Sequence, residues 1–391
     1  MKKLCCLILA AWMISIILVS CTEQLPEPEM SAYENRVHQA WSHMSISELC
    51  RYRDMILIHN GYYDMHTGEL IKGYCEDPEC EGDCYLESGF CTMHTVVGET
   101  VYFSACVPVD ETIYYCSRSL LTGEVQVIFT VPREQQGDFA SAYVDGDYFY
   151  YAHSKLKEGG DPLNYEDYIP WISRYDMVND EHEELFALSS PMEILHYVID
   201  GVMYLSKGSV LTRIELASME RRVLLDNTDL GFRGGFEYLR YLDGFFYYRG
   251  IPPQGSSEYR VIRVDATSGQ AVILLDAAIR TYTLTNDAIY FFLMEPMRKI
   301  GRPIGPDEDD YYYIGADTLY ACDPDGGNVR VVWRDESGLV DFEDIRFTVS
   351  DGVYYGYVRV FDQEANAYSE QQFSEIRFDT GEIVPAKEGE R

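Results

Sequence analysis

Hydrophobic and polar positions alternate along the chain in short segments, and a tight polar turn precedes many of them. Aromatic residues dominate the segments, as in Tyr148-Phe149-Tyr150-Tyr151. Asp-Gly before such a segment indicates a β-hairpin, because glycine accepts the positive φ that the turn requires. The turns of this kind are Gly98-Glu99, Asp145-Gly146, Asp200-Gly201, Asp243-Gly244, Asn286-Asp287 (a version without glycine) and Asp351-Gly352.

A second tight turn follows each of these hairpins and joins two further predicted strands. These turns are Thr122-Gly123-Glu124, Asn179-Asp180, Ser218-Met219-Glu220, Ser268-Gly269-Gln270, Asp325-Gly326-Gly327 and Thr380-Gly381-Glu382. An earlier turn, Thr67-Gly68-Glu69, has no Asp-Gly partner, although Met55 to His59 has the pattern of a preceding strand.

The repeat length predicts the fold. Gly98, Gly146, Gly201 and Gly244 lie 48, 55 and 43 residues apart. A period in this range with about four strands per repeat is typical of β-propeller blades. Six full repeats and one leading partial repeat predict an all-β propeller of seven four-stranded antiparallel blades, with six blades as the alternative.

The N-terminus has the pattern of a secretory signal, with Lys2 and Lys3 before an apolar stretch from Leu4 to Leu18. This stretch is shorter than the ~20 residues that a membrane-spanning helix needs. Leu18-Val19-Ser20-Cys21 resembles the lipobox of bacterial lipoproteins, which implies lipid on Cys21 and cleavage before it. The alternative is an ordinary cleaved signal. We therefore expect a lipid anchor on the extracytoplasmic face of the bacterial cell membrane.

The predicted organisation has four parts: a lipoprotein signal peptide at 1–20, a lipidated tether at 21–31, a short helical segment at 32–50 and the propeller at 51–391. The tether is polar and holds two prolines, so it cannot pack a core.

Composition excludes one class of partner. Asp and Glu number 65 against 31 Lys and Arg, a formal net charge of −34, which repels nucleic acid and anionic lipid head groups.

The 33 tyrosines favour strands with half-buried rings. An aromatic surface for sugar or peptide is the alternative to packing. We expect a monomer.

Two resemblances support the predicted fold. Asp323-Pro324-Asp325-Gly326-Gly327-Asn328 is similar to the strand–turn–strand of TolB-like propellers. Tyr62-Tyr63-Asp64, Thr67-Gly68-Glu69 and Cys75 to Cys84 resemble the opening of clostridial propeller lipoproteins, which are mostly of unassigned function. This chain carries Glu81-Gly82 where that family has a histidine. The resemblance implies fold and location, not activity.

One face of the propeller is predicted to carry the binding site. Long inserts fall between the second and third strands of three repeats, at 153–170, 250–257 and 293–316, and binding residues usually lie on loops held by a rigid scaffold. Neutral drift of these loops is the alternative. The candidate binding residues are Arg298, Lys299, Arg302, Tyr311, Tyr312 and Tyr313. The acidic run 307–310 between them either pairs with these cations or holds a cation, although it lacks the spacing of a calcium loop.

The cysteines predict disulfides in an exported chain. Cys75, Cys80, Cys84 and Cys91 crowd one loop, where two disulfides, a zinc ion or free thiols are the alternatives. Cys106 and Cys116 flank a predicted hairpin and are expected to form a further disulfide. Cys322 is expected to be a small buried residue. No cofactor is expected.

Catalytic signatures are mostly absent from the sequence. It contains no G-x-S-x-G, no H-E-x-x-H and no glycine-rich phosphate loop after a strand. His182 falls in a predicted outer turn and is expected to be solvated. The leading hypothesis is a binding or assembly module for a peptide, glycan or protein partner. A secreted glycan hydrolase or lyase on a propeller scaffold is the alternative, and a structural spacer is a third.

Overall fold

The alternating segments form seven antiparallel sheets that follow one another along the chain as the blades of a β-propeller. The computed structural model describes residues 49–58, 61–72, 92–106, 112–132, 142–161, 164, 167–190, 192–254, 256, 258–302, 312–315, 317–342 and 347–389. Seven blades are therefore confirmed, and the six-bladed alternative is wrong. The described residues contain no α-helix, and a short 3-10 turn spans Asn227–Leu230.

Each blade is built from a continuous stretch of chain. Blades 1 to 3 contain β1 (Cys50–Tyr52), β2 (Met55–Ile58), β3 (Gly61–Asp64), β4 (Glu69–Lys72), β5 (Thr92–Val97), β6 (Thr100–Cys106), β7 (Thr112–Ser119), β8 (Val125–Pro132), β9 (Ala142–Asp145), β10 (Tyr148–Leu156), β11 (Tyr168–Asp176) and β12 (Glu181–Ala187). Blades 4 and 5 contain β13 (Glu193–Ile199), β14 (Val202–Lys207), β15 (Val210–Glu215), β16 (Glu220–Asp226), β17 (Arg233–Leu242), β18 (Phe245–Ile251), β19 (Arg260–Asp265) and β20 (Ala271–Ile273).

Blades 6 and 7 carry additions to the four-stranded plan. Blade 6 contains β21 (Ile279–Leu284), β22 (Ile289–Leu293), a separate hairpin of β23 (Arg298–Ile300) and β24 (Tyr312–Ile314), then β25 (Thr318–Cys322) and β26 (Arg330–Arg334). Blade 7 contains β27 (Val340–Asp341), β28 (Phe347–Ser350), β29 (Val353–Asp362), β30 (Ala367–Tyr368), β31 (Gln372–Arg377) and β32 (Ile383–Pro385). β27 and β28 both pair with β29, so two segments form the first strand of this blade.

The Asp-Gly turns have the predicted hairpin geometry. Asp200 and Gly201 both have positive φ, 51° and 74°, as do Asp243 and Gly244 at 48° and 85°. Two consecutive residues with positive φ define the turn whose twist matches that of the flanking strands. This local geometry explains why the same dipeptide recurs at the same place in the repeat.

Aromatic side chains fill the spaces between blades. Each of six buried clusters joins neighbouring blades. Tyrosine hydroxyls reach the backbone of a neighbouring blade: Tyr197 Oη donates to the Leu239 carbonyl at 2.8 Å, and Tyr282 Oη donates to the Tyr238 carbonyl at 2.6 Å. Tyrosine is suited to this position, because its ring packs while its hydroxyl keeps a partner.

Blade 7 meets blade 1 through polar contacts as well as packing. The Tyr63 hydroxyl donates to Glu375 Oε1 at 2.5 Å in a buried contact, and the Tyr63 ring lies 5.0 Å from that of Phe373. Arg51 and Asp351 form an ion pair at 2.7 Å. A last strand, β33 (Lys387–Glu388), leaves blade 7 and pairs in parallel with β4 of blade 1. These contacts close the ring.

Two sequence predictions need correction or lie beyond the described residues. Most of the helical segment predicted at 32–50 lies outside the described residues, and Cys50 already belongs to the first strand. The insert predicted at 153–170 is shorter in the structure, because β10 continues to Leu156 and β11 starts at Tyr168, which leaves residues 157–167 between the strands. Aromatic and β-branched residues at 168–172 favour a strand, although they directly follow the polar residues of the insert.

Replacing Tyr63 by phenylalanine should lower the free energy of unfolding by about 1–3 kcal/mol, because the buried Glu375 carboxylate loses its donor. Urea unfolding followed by circular dichroism measures this change. The matched control is Tyr62→Phe, whose half-exposed ring lies against Arg118 at 5.4 Å. Equal effects of the two substitutions would contradict the closing role of the Tyr63 hydroxyl.

Candidate functional site

Strand order gives the propeller two unlike faces. In each antiparallel blade, the turn between strands one and two and the turn between strands three and four leave from the same end. These tight turns form what we call the turn face. The connections between strands two and three, and from blade to blade, leave from the other end, which we call the loop-rich face. The additions to blades 6 and 7 both lie on the loop-rich face.

The β23–β24 hairpin of blade 6 docks on the extended β29–β30 hairpin of blade 7. Asn366 Oδ1 accepts from the Arg302 backbone N–H at 2.5 Å, and Asn366 Nδ2 donates to the Arg302 carbonyl at 3.2 Å. The Tyr312 ring meets those of Phe361 and Tyr368 edge-on, at 5.6 and 5.5 Å. At Gly301, with φ of 77°, a Cβ would lie 2.4 Å from the Phe361 ring, so glycine permits this close approach.

The candidate binding residues on this hairpin take part in the docking. The Arg298 guanidinium donates to the Gly338 carbonyl at 3.0 Å and lies 3.6 Å from Asp317, and the Arg302 guanidinium donates to the Glu364 carbonyl at 3.2 Å. Lys299 pairs in register with Tyr313. Tyr311, the side chain of Tyr313 and the acidic run 307–310 lie outside the described residues. A role of these residues in ligand binding stays a prediction.

A cleft of about 1220 Å³ opens between blades 2 and 3 and runs from Leu156 and Tyr168 at the loop-rich end to His182 beside the β11–β12 turn. β8 of blade 2 contributes Thr130 and Pro132 to one wall. Leu156 and Tyr168, at the ends of β10 and β11 where the loop begins, line its mouth. No sequence pattern indicates this cleft, because its two walls belong to different repeats.

A row of four hydrogen-bonded side chains, which we call the polar row, crosses the cleft. His153 Nε2 lies 2.7 Å from Ser173 Oγ, and the Tyr151 hydroxyl lies 2.9 Å from His182 Nδ1. Tyr151 and Ser173 stand opposite each other in the strand register, which places the two pairs side by side. The polar row is therefore His153, Ser173, Tyr151 and His182, on strands β10, β11 and β12.

Burial keeps the polar row neutral near pH 7. Burial, together with the charge of nearby Lys155, lowers the pKa of His153 to about 4. Burial also lowers the pKa of His182, against the opposing charge of Asp180. The Tyr151 pKa rises to about 12, again through burial. Each effect has the same cause, because a desolvated group disfavours its charged form.

The charged groups at the cleft rim are paired with one another. Lys155 forms an ion pair with Glu184, and its ammonium lies 4.9 Å from the centre of the Trp171 ring. Arg174 and Glu183 form a second pair at 2.6 Å. These pairs leave the cleft without a dominant charge. They also occupy both carboxylates, which argues against a free acid–base pair of the kind that glycan hydrolysis uses.

The Ser173–His153 pair has the residue types of a nucleophile and its base, but its setting is structural. Ser173 is 1% exposed and His153 is 6% exposed. Blade 4 contains the same arrangement, with His196 Nε2 2.7 Å from Ser206 Oγ and both residues buried. A hydroxyl buried in this way is closed to a substrate carbonyl, so the Ser173–His153 pair has a structural role.

His182 was predicted to be solvated, and the structure agrees only in part. The residue is exposed at the blade edge, yet its ring packs 5.2 Å from Phe129 and 4.7 Å from Tyr175. One signal for the polar row was present in the sequence. On β10, Phe149, Tyr151, His153 and Lys155 occupy alternate positions, so their side chains lie on the same side of the sheet. The change from aromatic to polar residues on that side was the signal.

The disulfide predicted between Cys106 and Cys116 is wrong. In the β6–β7 register, Cys116 stands opposite Phe103, three positions from Cys106. The two Cα atoms are then about 10 Å apart along the strands, beyond the ~7 Å that a disulfide allows. Cys116 is a free buried thiol whose pKa burial raises to about 12, and Cys322 is also buried and free, as predicted.

The remaining cysteine predictions concern Cys21 and the cluster of Cys75, Cys80, Cys84 and Cys91, and all five positions lie outside the described residues. The residues that are described bring together no group of three or more His, Cys, Asp or Glu side chains able to hold a metal ion. In the same part of the chain, no helix has the length and apolar character needed to cross a membrane.

Solved structures resemble this chain at the level of fold. A prolyl endopeptidase has 12% identity and a TM-score of 0.53, covering 90% of this chain and 50% of its own. An acylaminoacyl peptidase of Pyrococcus horikoshii has 12% identity and a TM-score of 0.50, covering 91% and 54%. An oligogalacturonate lyase of Vibrio parahaemolyticus has 12% identity and a TM-score of 0.48, covering 82% and 90%.

The chain spans about half the length of the two peptidases that it resembles. No protein-family model matches the chain, and no curated protein matches it. At this level of identity the likeness shows the fold alone. The chain is a seven-bladed β-propeller of four-stranded antiparallel sheets, and its solved structural neighbours include β-propeller proteins.

Acidification should weaken the fold through its two buried histidines. Burial lowers the pKa values of His153 and His196 to about 4, whereas an unfolded chain protonates histidine near pH 6.5. Between these values the unfolded state binds more protons, so the free energy of unfolding falls as the pH drops from about 6.5 to 4. The fall is at most about 3 kcal/mol per histidine.

Urea unfolding at a series of pH values measures this dependence. His153→Gln and His196→Gln should each remove their share of the fall, because glutamine does not titrate. The exposed His66 is the matched control, and His66→Gln should leave the dependence as it is. An unchanged pH dependence in both buried-site variants would contradict the assignment.

Proposed function

We propose that this protein is a lipid-anchored, extracytoplasmic binding module that holds a peptide, glycan or protein partner on the loop-rich face of its propeller. The observation that carries the proposal is the cleft between blades 2 and 3, which has walls from two blades and a neutral polar row within it. A closed ring of sheets holds both walls rigid, as a preformed binding site requires. The docked hairpins of blades 6 and 7 extend the same face.

The anchor in this proposal rests on the Leu18-Val19-Ser20-Cys21 sequence. The described chain enters the first strand at Cys50, and this end of β1 lies on the loop-rich face, because the β1–β2 turn at Arg53 and Asp54 lies on the turn face. Two acyl chains give stable anchoring where one is marginal. An anchored module of this kind concentrates its partner at the membrane surface.

The alternative, a glycan hydrolase or lyase, needs a carboxylate or another ionisable group free to move a proton. In the described part of the cleft, Glu183 and Glu184 are both ion-paired. The hydroxyl of Ser173 is buried. These contacts favour binding over turnover, and product analysis by mass spectrometry during any glycan-binding experiment tests the alternative directly.

Substitution of Cys21 by alanine should release the protein from the membrane. The measurement is incorporation of labelled palmitate together with fractionation of cells into membrane and soluble protein. Cys5→Ala is the matched control, because Cys5 lies in the segment predicted to be removed with the signal. Palmitate label that persists in the Cys21→Ala variant would contradict the anchor.

Site-specific photo-crosslinking on intact cells tests which face binds the partner. A photoreactive residue in place of Met297, which is 71% exposed on the loop-rich face, should give a discrete adduct. The same residue in place of Val329, which is 56% exposed beside the β25–β26 turn on the turn face of the same blade, should give none. Adducts from Val329 alone would place the partner on the wrong face and refute the proposal.

A further inference from the structure

Arg280 lies at the loop-rich end of β21, the first strand of blade 6. First strands of neighbouring blades contact one another, as β21 and β28 do, so these strands surround the axis of the propeller. Ile279 and Thr281 pair with consecutive residues of β22, which leaves Arg280 as the extra residue of a β-bulge. A bulge changes the direction of a side chain, and bulges are frequent next to functional sites.

The Arg280 guanidinium has no hydrogen bond, ion pair or aromatic ring as a partner within the part of the chain that the structure describes. Its side chain is partly buried. Arg249, Arg260 and Arg298 lie at the same end of blades 5 and 6, and each is paired with a carboxylate. A partly buried charge is costly unless an opposite charge accompanies it. Arg280 therefore offers a cation to an anionic ligand.

Neighbouring segments hold Arg280 in place. Its carbonyl accepts a hydrogen bond from the Arg249 guanidinium, whose central carbon lies 4.2 Å from the centre of the Tyr259 ring. Gly315, at the end of the β23–β24 hairpin, lies against the guanidinium, because a Cβ at this position would be 2.5 Å from Arg280 Nη1. Arg280 is thus in contact with both blade 5 and the hairpin.

An exposed methionine lies beside this cation. The Met294 N–H donates to the Ala278 carbonyl at 2.8 Å, two residues before Arg280, and Met294 is 41% exposed. Met297, just before the β23–β24 hairpin, is 71% exposed. The thioether side chain is flexible and apolar, which suits the varied apolar side chains of a peptide. The two methionines therefore favour a peptide over a glycan, because a sugar offers no side chain of that kind.

The charge of the protein restricts the anion that Arg280 can hold. The formal net charge of −34 repels ligands with several negative charges. A single carboxylate suffers least from this repulsion, and it matches the planar guanidinium through two parallel hydrogen bonds. In a peptide this group is either the C-terminus or an acidic side chain, and both present the same two oxygens.

We infer that Arg280 binds a carboxylate of a peptide ligand near the propeller axis on the loop-rich face, with Met294 against an apolar side chain of that peptide. This inference rests on the proposed binding role, and it selects a peptide from the three partner classes. Blades 4 and 5 separate this site from the cleft between blades 2 and 3, so the two sites are distinct.

Affinity selection from a synthetic library of random dodecapeptides with free C-termini tests the inference. The protein is purified from membranes in mild detergent, and mass spectrometry identifies the bound peptides. Each selected peptide is then resynthesised with a C-terminal amide or with its acidic residues replaced by the corresponding amides, and fluorescence polarisation measures its Kd. We expect one of the two changes to weaken binding by about 10-fold or more, which identifies the source of the carboxylate.

Variants of the protein identify the group that the carboxylate contacts. Arg280→Gln should weaken binding of the unaltered peptide by about 10-fold or more and should not weaken the neutralised peptide further. This non-additivity separates a direct contact from a general loss of stability. Gly315→Ala keeps the charge but displaces the guanidinium; it should also weaken binding and serves if Arg280→Gln does not fold. Arg330→Gln, at the turn-face end of the same blade, is the matched control and should leave binding unchanged.

Three results would overturn the inference: no selected peptide, selected peptides that tolerate both carboxylate changes, or effects of the peptide change and of Arg280→Gln that simply add. These failures are distinguishable from failure of the proposed function. A Met297 adduct on intact cells, without an Arg280-dependent peptide, overturns only this assignment. Arg280-dependent binding without membrane anchoring or an adduct supports the site and refutes the wider proposal.

Discussion

A propeller is stable only if its last blade meets its first, because every blade has an apolar face that only a neighbour can cover. In this protein the first and last blades are joined without a shared four-stranded sheet. A buried bond between Tyr63 and Glu375, an ion pair between Arg51 and Asp351, and the strand β33 laid along β4 make the junction. These three contacts come from the core, the inner strands and the outer edge, so they fix the junction across the blade's whole width.

The closed ring explains why a cleft can persist between two blades. The stacked rings of Tyr115 and Phe129, with Phe149 edge-on to Phe129, fill part of the interface between blades 2 and 3. Where this aromatic packing gives way to polar groups, Tyr151 and Ser173 continue the same blade surface. An isolated pair of sheets would move together over such a gap. The angle that seven blades impose holds the two walls apart.

The loop-rich face shows how charge in a sequence differs from charge available to a ligand. Arg298 and Arg302 belong to a short basic segment in a strongly acidic chain, and such a segment is a reasonable candidate for ligand binding. In the folded protein both guanidiniums bond to backbone carbonyls of neighbouring segments. Lys155 and Glu184 are far apart in the sequence and unremarkable there, yet their pairing makes the cleft neutral.

The sequence by itself determined the strand-rich fold, the blade count and the division into two faces, because these depend on local turn chemistry and on period-two alternation. Asp200-Gly201 and its equivalents specify hairpins wherever they occur. The Cys106–Cys116 pairing failed because strand register depends on the whole hairpin. The polar row of His153, Ser173, Tyr151 and His182, and the cleft that it lines, were decided only by the tertiary structure. Its members come from three strands and the opposite wall from another blade, so their proximity depends on stacking between repeats, which no local pattern encodes.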